Sequence, residues 1–364
     1  MLVKGGFAMK KIVVAIISLV ILTTSLIAWK LITYKNGEFQ PNSQANFYII
    51  YPGKIDSYKL ETDQPILLES QALPEPDYLG SGTNFTLDNR HLLFSNYAHK
   101  YLNSNLVSID FENGKILRQP SKYSTNISGT DGEFFYTASP HGVAKFDKEL
   151  KHLKDAKLPE YFNPNPTIMI DDNTIYLVGT ENIPDNPDNW KQLLILVDKQ
   201  TMTVSETIEL DKTMGLHSGY LMNNILYLPI ISYTSESLEY TQSQQVLTFN
   251  TQSKSIDLIE LSNPSPAKMH SLNSDSHILI EHDGYTTNDI RFTIYDTKTG
   301  DESFHVFPDV NPSYLTVSHL QSLDDERLLF IVGNQLYLYN WKTKEVLNQM
   351  SLDSDYITGI WVTK

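Results

Sequence analysis

The sequence predicts an all-β fold, a seven-bladed β-propeller of four-stranded blades, preceded by one N-terminal transmembrane helix. Three observations carry this. One hairpin pattern returns about every 47 residues between positions 59 and 340, the period of a four-stranded blade. The two ends of the repetitive region hold strands that are incomplete alone and complementary together. One uncharged N-terminal stretch has the length of a bilayer crossing.

The stretch "IVVAIISLVILTTSLIAW", residues 12–29, carries no charge, with Lys10 and Lys11 before it and Lys30 after it. At ~1.5 Å rise per residue it spans roughly 27 Å, close to the hydrocarbon thickness of a membrane. Lys4, Lys10 and Lys11 place the N-terminal side in the cytoplasm, and Trp29 and Tyr34 suit the outer interface. The expected division is a short cytoplasmic N-terminus over 1–11, a signal anchor over 12–34, a polar linker over 35–46 and the propeller over 47–364. The alternative is a cleaved signal peptide. Its cleavage sites are poor, because Ala28 has Leu26 at −3 and Ser25 has Thr23. The propeller is then extracytoplasmic on a single-pass cell-membrane anchor, or secreted if the segment is cleaved.

The clearest hairpin is "FTIYDTKTGDESFHVF", residues 292–307, whose turn holds Asp296, Thr299 and Gly300. Related pairs begin at Asn105, Leu193 and Gln335. Aligned on the turn residue, the series reads Lys59, Asp110, Asp147, Asp198, Asn250, Asp296 and Asn340. Asp and Asn side chains cap amides two residues on, which builds an Asx-type turn. A second pair of strands precedes most of these hairpins, as in "TIMIDDNTIYLVG" from Thr167 and "MHSLNSDSHILIEH" from Met269. Eight blades, or six, stay open at this point. The unit around Asp147 is short, and its "DKELK" turn is irregular.

The ends predict closure. After the last hairpin only "SDYITGIWVTK" remains, enough for one strand, and before the first lies only "NFYIIYP". The C-terminus would supply the innermost strand of a blade whose other three come from residues 47–70, leaving no open sheet edge.

With its Asp-x-x-Thr-Gly turns, the chain over about residues 46–364 resembles the YVTN and quinoprotein-like seven-bladed propellers. The resemblance implies the architecture only. Quinoprotein blades carry a tryptophan after the Thr-Gly turn, where this chain has Ile116, Val204, Ile256, Phe304 and Val346. No quinone is implied, and no cofactor is expected.

Composition narrows the function. With 41% hydrophobic and 20% charged residues the chain is of the folding kind. It has no cysteine, which excludes disulfides, thiolate metal sites and cysteine nucleophiles. Net charge is −15, and the five lysines of residues 1–35 face no acid there, so the propeller itself is more acidic still. Such a body repels a phosphate backbone, and no nucleic-acid partner is expected. No nucleotide loop, zinc-protease, EF-hand or nucleophile-elbow motif occurs.

One pattern points to a site. His217, His270 and His319 come from consecutive repeats, each eight or nine residues before an outgoing strand at Ile225, Ile278 or Leu328. On innermost strands they would line the central channel, where three imidazoles could hold an anion or a metal ion. Asn126 and Thr167 hold similar places. The competing reading is structural, with each imidazole bonding a neighbouring blade's backbone. His141, His152, His282 and His305 read as surface residues. Two long loops, 181–192 with Trp190 and 232–245, leave the same face and make a candidate binding rim. The leading function is a membrane-anchored binding or scaffold module for an envelope protein or glycan. The alternative is a hydrolase or lyase using the channel histidines. A structural subunit of a larger membrane complex is the third.

Overall fold

The computed structural model describes residues 37–73, 85–87, 90–97, 104–120, 127–182, 190–235, 239–307, 310, 314–354 and 356–363. They form seven antiparallel sheets. In chain order the blades span residues 85–120, 127–156, 162–210, 214–260, 266–307 and 319–351, here blades 1 to 6. Blade 7 combines residues 47–72 with residues 359–362. The short unit around Asp147 is a complete blade, with a register shift between Lys145 and Phe146.

Blade 7 closes the ring as its sequence implies. Gly359–Val362 pairs with Phe47–Ile50, Trp361 lying opposite Tyr48. Phe111 of blade 1 stacks on Trp361, with centroids 4.3 Å apart and planes at 5°. Blades pack through apolar faces, as where Phe292 and Phe307 of blade 5 meet Phe330 and Tyr339 of blade 6. Each fully buried aromatic of this kind contributes about 2–3 kcal/mol of transfer free energy.

The outer hairpins show why Asp and Asn recur. Asp110, Asp147, Asp198, Asn250, Asp296 and Asn340 each accept, through Oδ1, the amide two residues on. In most of these turns the fourth residue on is left-handed and donates its N–H back to the Asx carbonyl, as with Gly114, Lys254, Gly300 and Lys344. Lys59 breaks the series. It lies inside the strand Lys54–Glu61, and its hairpin turns instead at Thr62 and Asp63, with φ of 50° and 65°. That is a two-residue turn, in which both central residues need positive φ.

Part of the expected linker is not a linker. Gly37–Glu38 adds a fifth strand to the outer edge of blade 1, against Ile116 and Lys115. Phe39 is buried edge-on to Tyr48 and Phe111, at 6.1 and 5.4 Å. Gly114 permits this docking: its φ is +76°, and a Cβ there would stand 1.8 Å from the Phe39 carbonyl oxygen. Among the described residues no helix is long and apolar enough to cross a membrane, and the segment 12–34 lies outside them.

The antiparallel order gives the disc two unlike faces. Turns joining first to second and third to fourth strands share one, the turn face. Loops joining second to third strands, and the connections between blades, share the other, the loop face.

Candidate functional site: the inner ring and the loop face

The innermost strands meet through a relay of polar side chains. Asn165 of blade 3 donates Nδ2 to the Leu216 carbonyl of blade 4 at 2.9 Å. His217 of blade 4 hydrogen-bonds the Ala267 backbone of blade 5. Lys268 of blade 5 donates Nζ to the Val317 carbonyl ahead of blade 6 at 3.1 Å. His319 of blade 6 donates Nε2 to the Ile357 carbonyl ahead of blade 7 at 3.0 Å. Gln321 adds two bonds to blade 7, to the Ile360 carbonyl and from the Val362 amide.

Register identifies which residues are equivalent. The His217 amide bonds the Pro229 carbonyl, Lys268 lies opposite Glu281, and His319 lies opposite Ile331. Each of these facing residues is the fifth of its second strand, counted from Ile225, His277 and Arg327. His217, Lys268 and His319 therefore share one height, near the loop-face end of the channel. His270 lies two residues further along, opposite Leu279. The sequence spacing is misleading here because Lys268, not His270, fills the equivalent position.

His270 belongs to a second arrangement. Its Nε2 lies 3.0 Å from Glu281 Oε2. Glu281 Oε1 accepts the Val317 amide at 3.0 Å and faces Lys268 Nζ at 3.5 Å. Burial alone would raise the Glu281 carboxyl, but Lys268, His270 and the Val317 amide outweigh it and hold it low. Burial lowers His217 in turn, with help from the Lys268 charge. It pushes His319 down to about 4, against the favourable bond to Ile357. At neutral pH both are neutral, so their bonds are ordinary imidazole–backbone bonds.

Among the described residues no group of three or more His, Asp or Glu side chains is arranged to hold a metal ion. Asn126 lies outside the described residues, and in blade 3 the bond to the next blade comes from Asn165 rather than Thr167. His282 is not a surface residue. It is buried, with Nδ1 on the Pro264 carbonyl at 2.6 Å and Nε2 on Thr293 Oγ1 at 2.8 Å. His305 is half-buried against Phe307 and Tyr339.

On the loop face, Trp190 is half-buried at the foot of its loop, whose residues 183–189 lie outside the described set. Four tyrosines stand out instead: Tyr161 at 48% exposure, Tyr240 at 77%, Tyr285 at 68% and Tyr356 at 65%. Tyr161 and Tyr356 lie in connections between blades, Tyr240 and Tyr285 at loops between second and third strands. All four are thus on the loop face. The other large exposed apolar side chains, such as Leu67, Leu153 and Leu258, lie on outermost strands.

No protein-family model matches the chain, and no curated protein matches it. Solved structures do. Hydrazine synthase of Kuenenia stuttgartiensis superposes with a TM-score of 0.54 at 12% identity, over 83% of this chain and 90% of that one. An oligogalacturonate lyase in complex with manganese gives 0.54 at 12% identity, over 88% and 84%. The dihydro-heme d1 dehydrogenase NirN, in complex with DHE, gives 0.51 at 15% identity, over 90% and 67%. At such identities the likeness shows the propeller fold alone.

Proposed function

We propose that the chain is a membrane-tethered, extracytoplasmic binding module whose loop face holds a protein partner. The segregation of the exposed tyrosines onto that face supports the reading most directly. A tyrosine offers a large rigid apolar surface and a hydroxyl that seeks a partner, and tyrosine is enriched in protein interfaces. Solvent exposure of four such rings on one face, and of none on the other among the described residues, fits a surface covered in use. The rings come from blades 4 and 5 and from the 2–3 and 6–7 connections. An occupant touching them all spans more of the disc than a short glycan does.

The test is recovery of the partner with the full-length chain from detergent-solubilised membranes. Tyr240→Ser with Tyr285→Ser should strip specific co-purifying protein, each hot-spot tyrosine contributing about 2 kcal/mol, or roughly 30-fold in affinity. The turn-face control Lys298→Ser should not. Unchanged recovery in the tyrosine variant refutes the reading.

One observation favours the hydrolase or lyase alternative. A buried carboxylate that orients an imidazole is the arrangement a general base uses, and His270 on Glu281 has that form with its ring 20% exposed. Lys268 adds a cation beside it. Activity abolished by His270→Gln, in a variant of unchanged melting temperature, would establish this reading. The relay histidines His217 and His319 are already engaged with neighbouring blades.

A further inference from the structure

We propose that the partner of the loop face binds by strand addition: an extended segment of it pairs, backbone to backbone, with the free edge of Tyr240–Gln242. This rests on the protein-partner reading above and adds the mode of binding and the form of the ligand.

Blade 4 carries a flap on that face. Its second strand, Ile225–Thr234, outruns its pairing with the third, which ends at Pro229 opposite Val246. The overhang is held between Met214–Leu216 and Tyr240–Gln242, with Met214 and Thr241 both opposite Tyr233. Three short strands therefore stand on the loop face.

Hydrogen bonds fix which way the outer strand points. The Ser235 amide donates to the Glu239 carbonyl at 2.9 Å, and the Ser243 amide to the Ile231 carbonyl at 3.1 Å. Bonded and non-bonded pairs alternate along an antiparallel ladder. Thr241 and Tyr233 are therefore a bonded pair, and Tyr240 and Gln242 turn their N–H and C=O groups away from the flap. Gln244 continues that outward row, and its carbonyl accepts the Leu261 amide at 2.7 Å. Leu261 immediately follows the outermost strand, Ile256–Glu260. Beyond it the row is bare: among the described residues nothing bonds the outward groups of Tyr240 and Gln242.

The edge also lacks the usual deterrent. Charged side chains keep exposed edges from recruiting further strands. The outermost strands of blades 2 to 7 each carry one or more, including Lys154, Glu206, Asp257, Glu302, Glu345 and Glu69. Tyr240–Gln242 carries none, and all three of its residues are exposed.

An extended polypeptide is the ligand this edge recognises. Its outward residues stand about 7 Å apart, each offering one donor and one acceptor. A strand presents the complementary groups at that interval; a glycan or a lipid headgroup does not. The incoming segment would continue the outermost strand of blade 4 where Leu261 leaves it. Main-chain bonds supply its affinity and alternate side chains its specificity. The Tyr240 ring, 77% exposed, suits a β-branched or aromatic residue across from it.

Proline separates backbone from side-chain recognition. Gln242→Pro removes one outward N–H and no bond of the fold, and proline is tolerated on an edge whose N–H faces solvent. Gln242→Ser removes the side chain and keeps the N–H. In the full-length chain, partner recovery should fall at least about tenfold with Gln242→Pro and stay near the wild-type level with Gln242→Ser, both melting as the wild type does. In the wild-type complex, hydrogen exchange resolved to single residues should slow at least about tenfold at the Tyr240 and Gln242 amides. The Thr241 amide, bonded within the flap, should change little. The exchange measurement decides the matter should the proline variant lose stability. Full recovery with Gln242→Pro, an equal loss with Gln242→Ser, unchanged exchange at both amides, or a partner that is a second copy of the chain overturns strand addition and leaves the loop-face reading standing. Recovery of no specific protein by the wild-type chain overturns that reading and the proposal together.

Discussion

Acidifying the protein from about pH 7.5 to about pH 5 should remove about 4 kcal/mol of folding stability, roughly half through each of two buried histidines. His319 is sealed in the inner ring on the Ile357 carbonyl, and His282 is held between the Pro264 carbonyl and Thr293. Burial pushes both from 6.5 to about 4. The Arg291 charge helps at His282, where Asp289 and Glu281 oppose it, and Lys268 helps at His319. The unfolded chain takes up these protons near 6.5, whereas the folded chain holds them off until about 4. Between those values the unfolded state binds more protons, so stability falls as pH falls and is level above 6.5. For one such histidine the linkage integral at about pH 5 is about 2 kcal/mol. Two together approach the whole stability of a marginal domain. Urea unfolding followed by tryptophan fluorescence at the two pH values measures this. His319→Gln and His282→Gln each keep a side-chain donor and cannot titrate, so each should remove about 2 kcal/mol of the pH dependence. An unchanged pH dependence in the double variant would refute the linkage.

Four further outcomes follow from single contacts. Lys344→Gly should stabilise by about 0.5–1 kcal/mol in thermal melts, because Lys344 is left-handed, with φ 64°, and exposed. Gly114→Ala should free the N-terminal arm, seen as rapid proteolysis near residues 37–42, since its Cβ collides with the Phe39 carbonyl. Glu281→Ala should cost about 3–5 kcal/mol in chemical denaturation, as it strands Lys268 and the Val317 amide. Phe111→Ala should cost about 3–5 kcal/mol by unstacking Trp361.

The blades were readable because the hairpin turn has one chemical solution repeated six times: a short acceptor at Asp110, Asp147, Asp198, Asn250, Asp296 or Asn340 that satisfies free amides. Closure was readable because Gly359–Val362 and Phe47–Ile50 are each useless alone. The channel was read less well. Spacing to the next strand puts His217, His270 and His319 at one height, whereas in the register His217 and His319 share a height with Lys268 and His270 lies two residues on, because the loop between first and second strands varies in length among blades. Counting back along the second strand from its pairing with the Asx residue would have found Lys268. Glu281 was hidden in an apolar strand, "HILIEH", where a carboxylate is tolerated only because three donors from two blades converge on it. The tyrosine face was hidden by abundance: with 21 tyrosines, composition does not separate Tyr176, buried with its hydroxyl on Asp171, from Tyr285.

The two faces of the disc differ in how tightly physics binds their sequence. On the turn face six of the seven outer hairpins cap their amides with Asp or Asn, and in several the residue after the cap reaches back to the preceding blade: Phe111 to Trp361, Lys199 to Asp131, Trp341 to His277. Substitution there is paid in stability. The loop-face connections carry fewer such obligations, and they alone present exposed tyrosine among the described residues. The inner ring lies between these regimes. His217 and His319 sit on innermost strands, where a ligand site would be sought, yet each ring bonds a neighbouring blade's backbone. Polar residues in the channel of a propeller are therefore weak evidence of chemistry until their partners are known. An exposed ring that nothing in the fold requires is the stronger pointer to function, and in this chain those rings share one face.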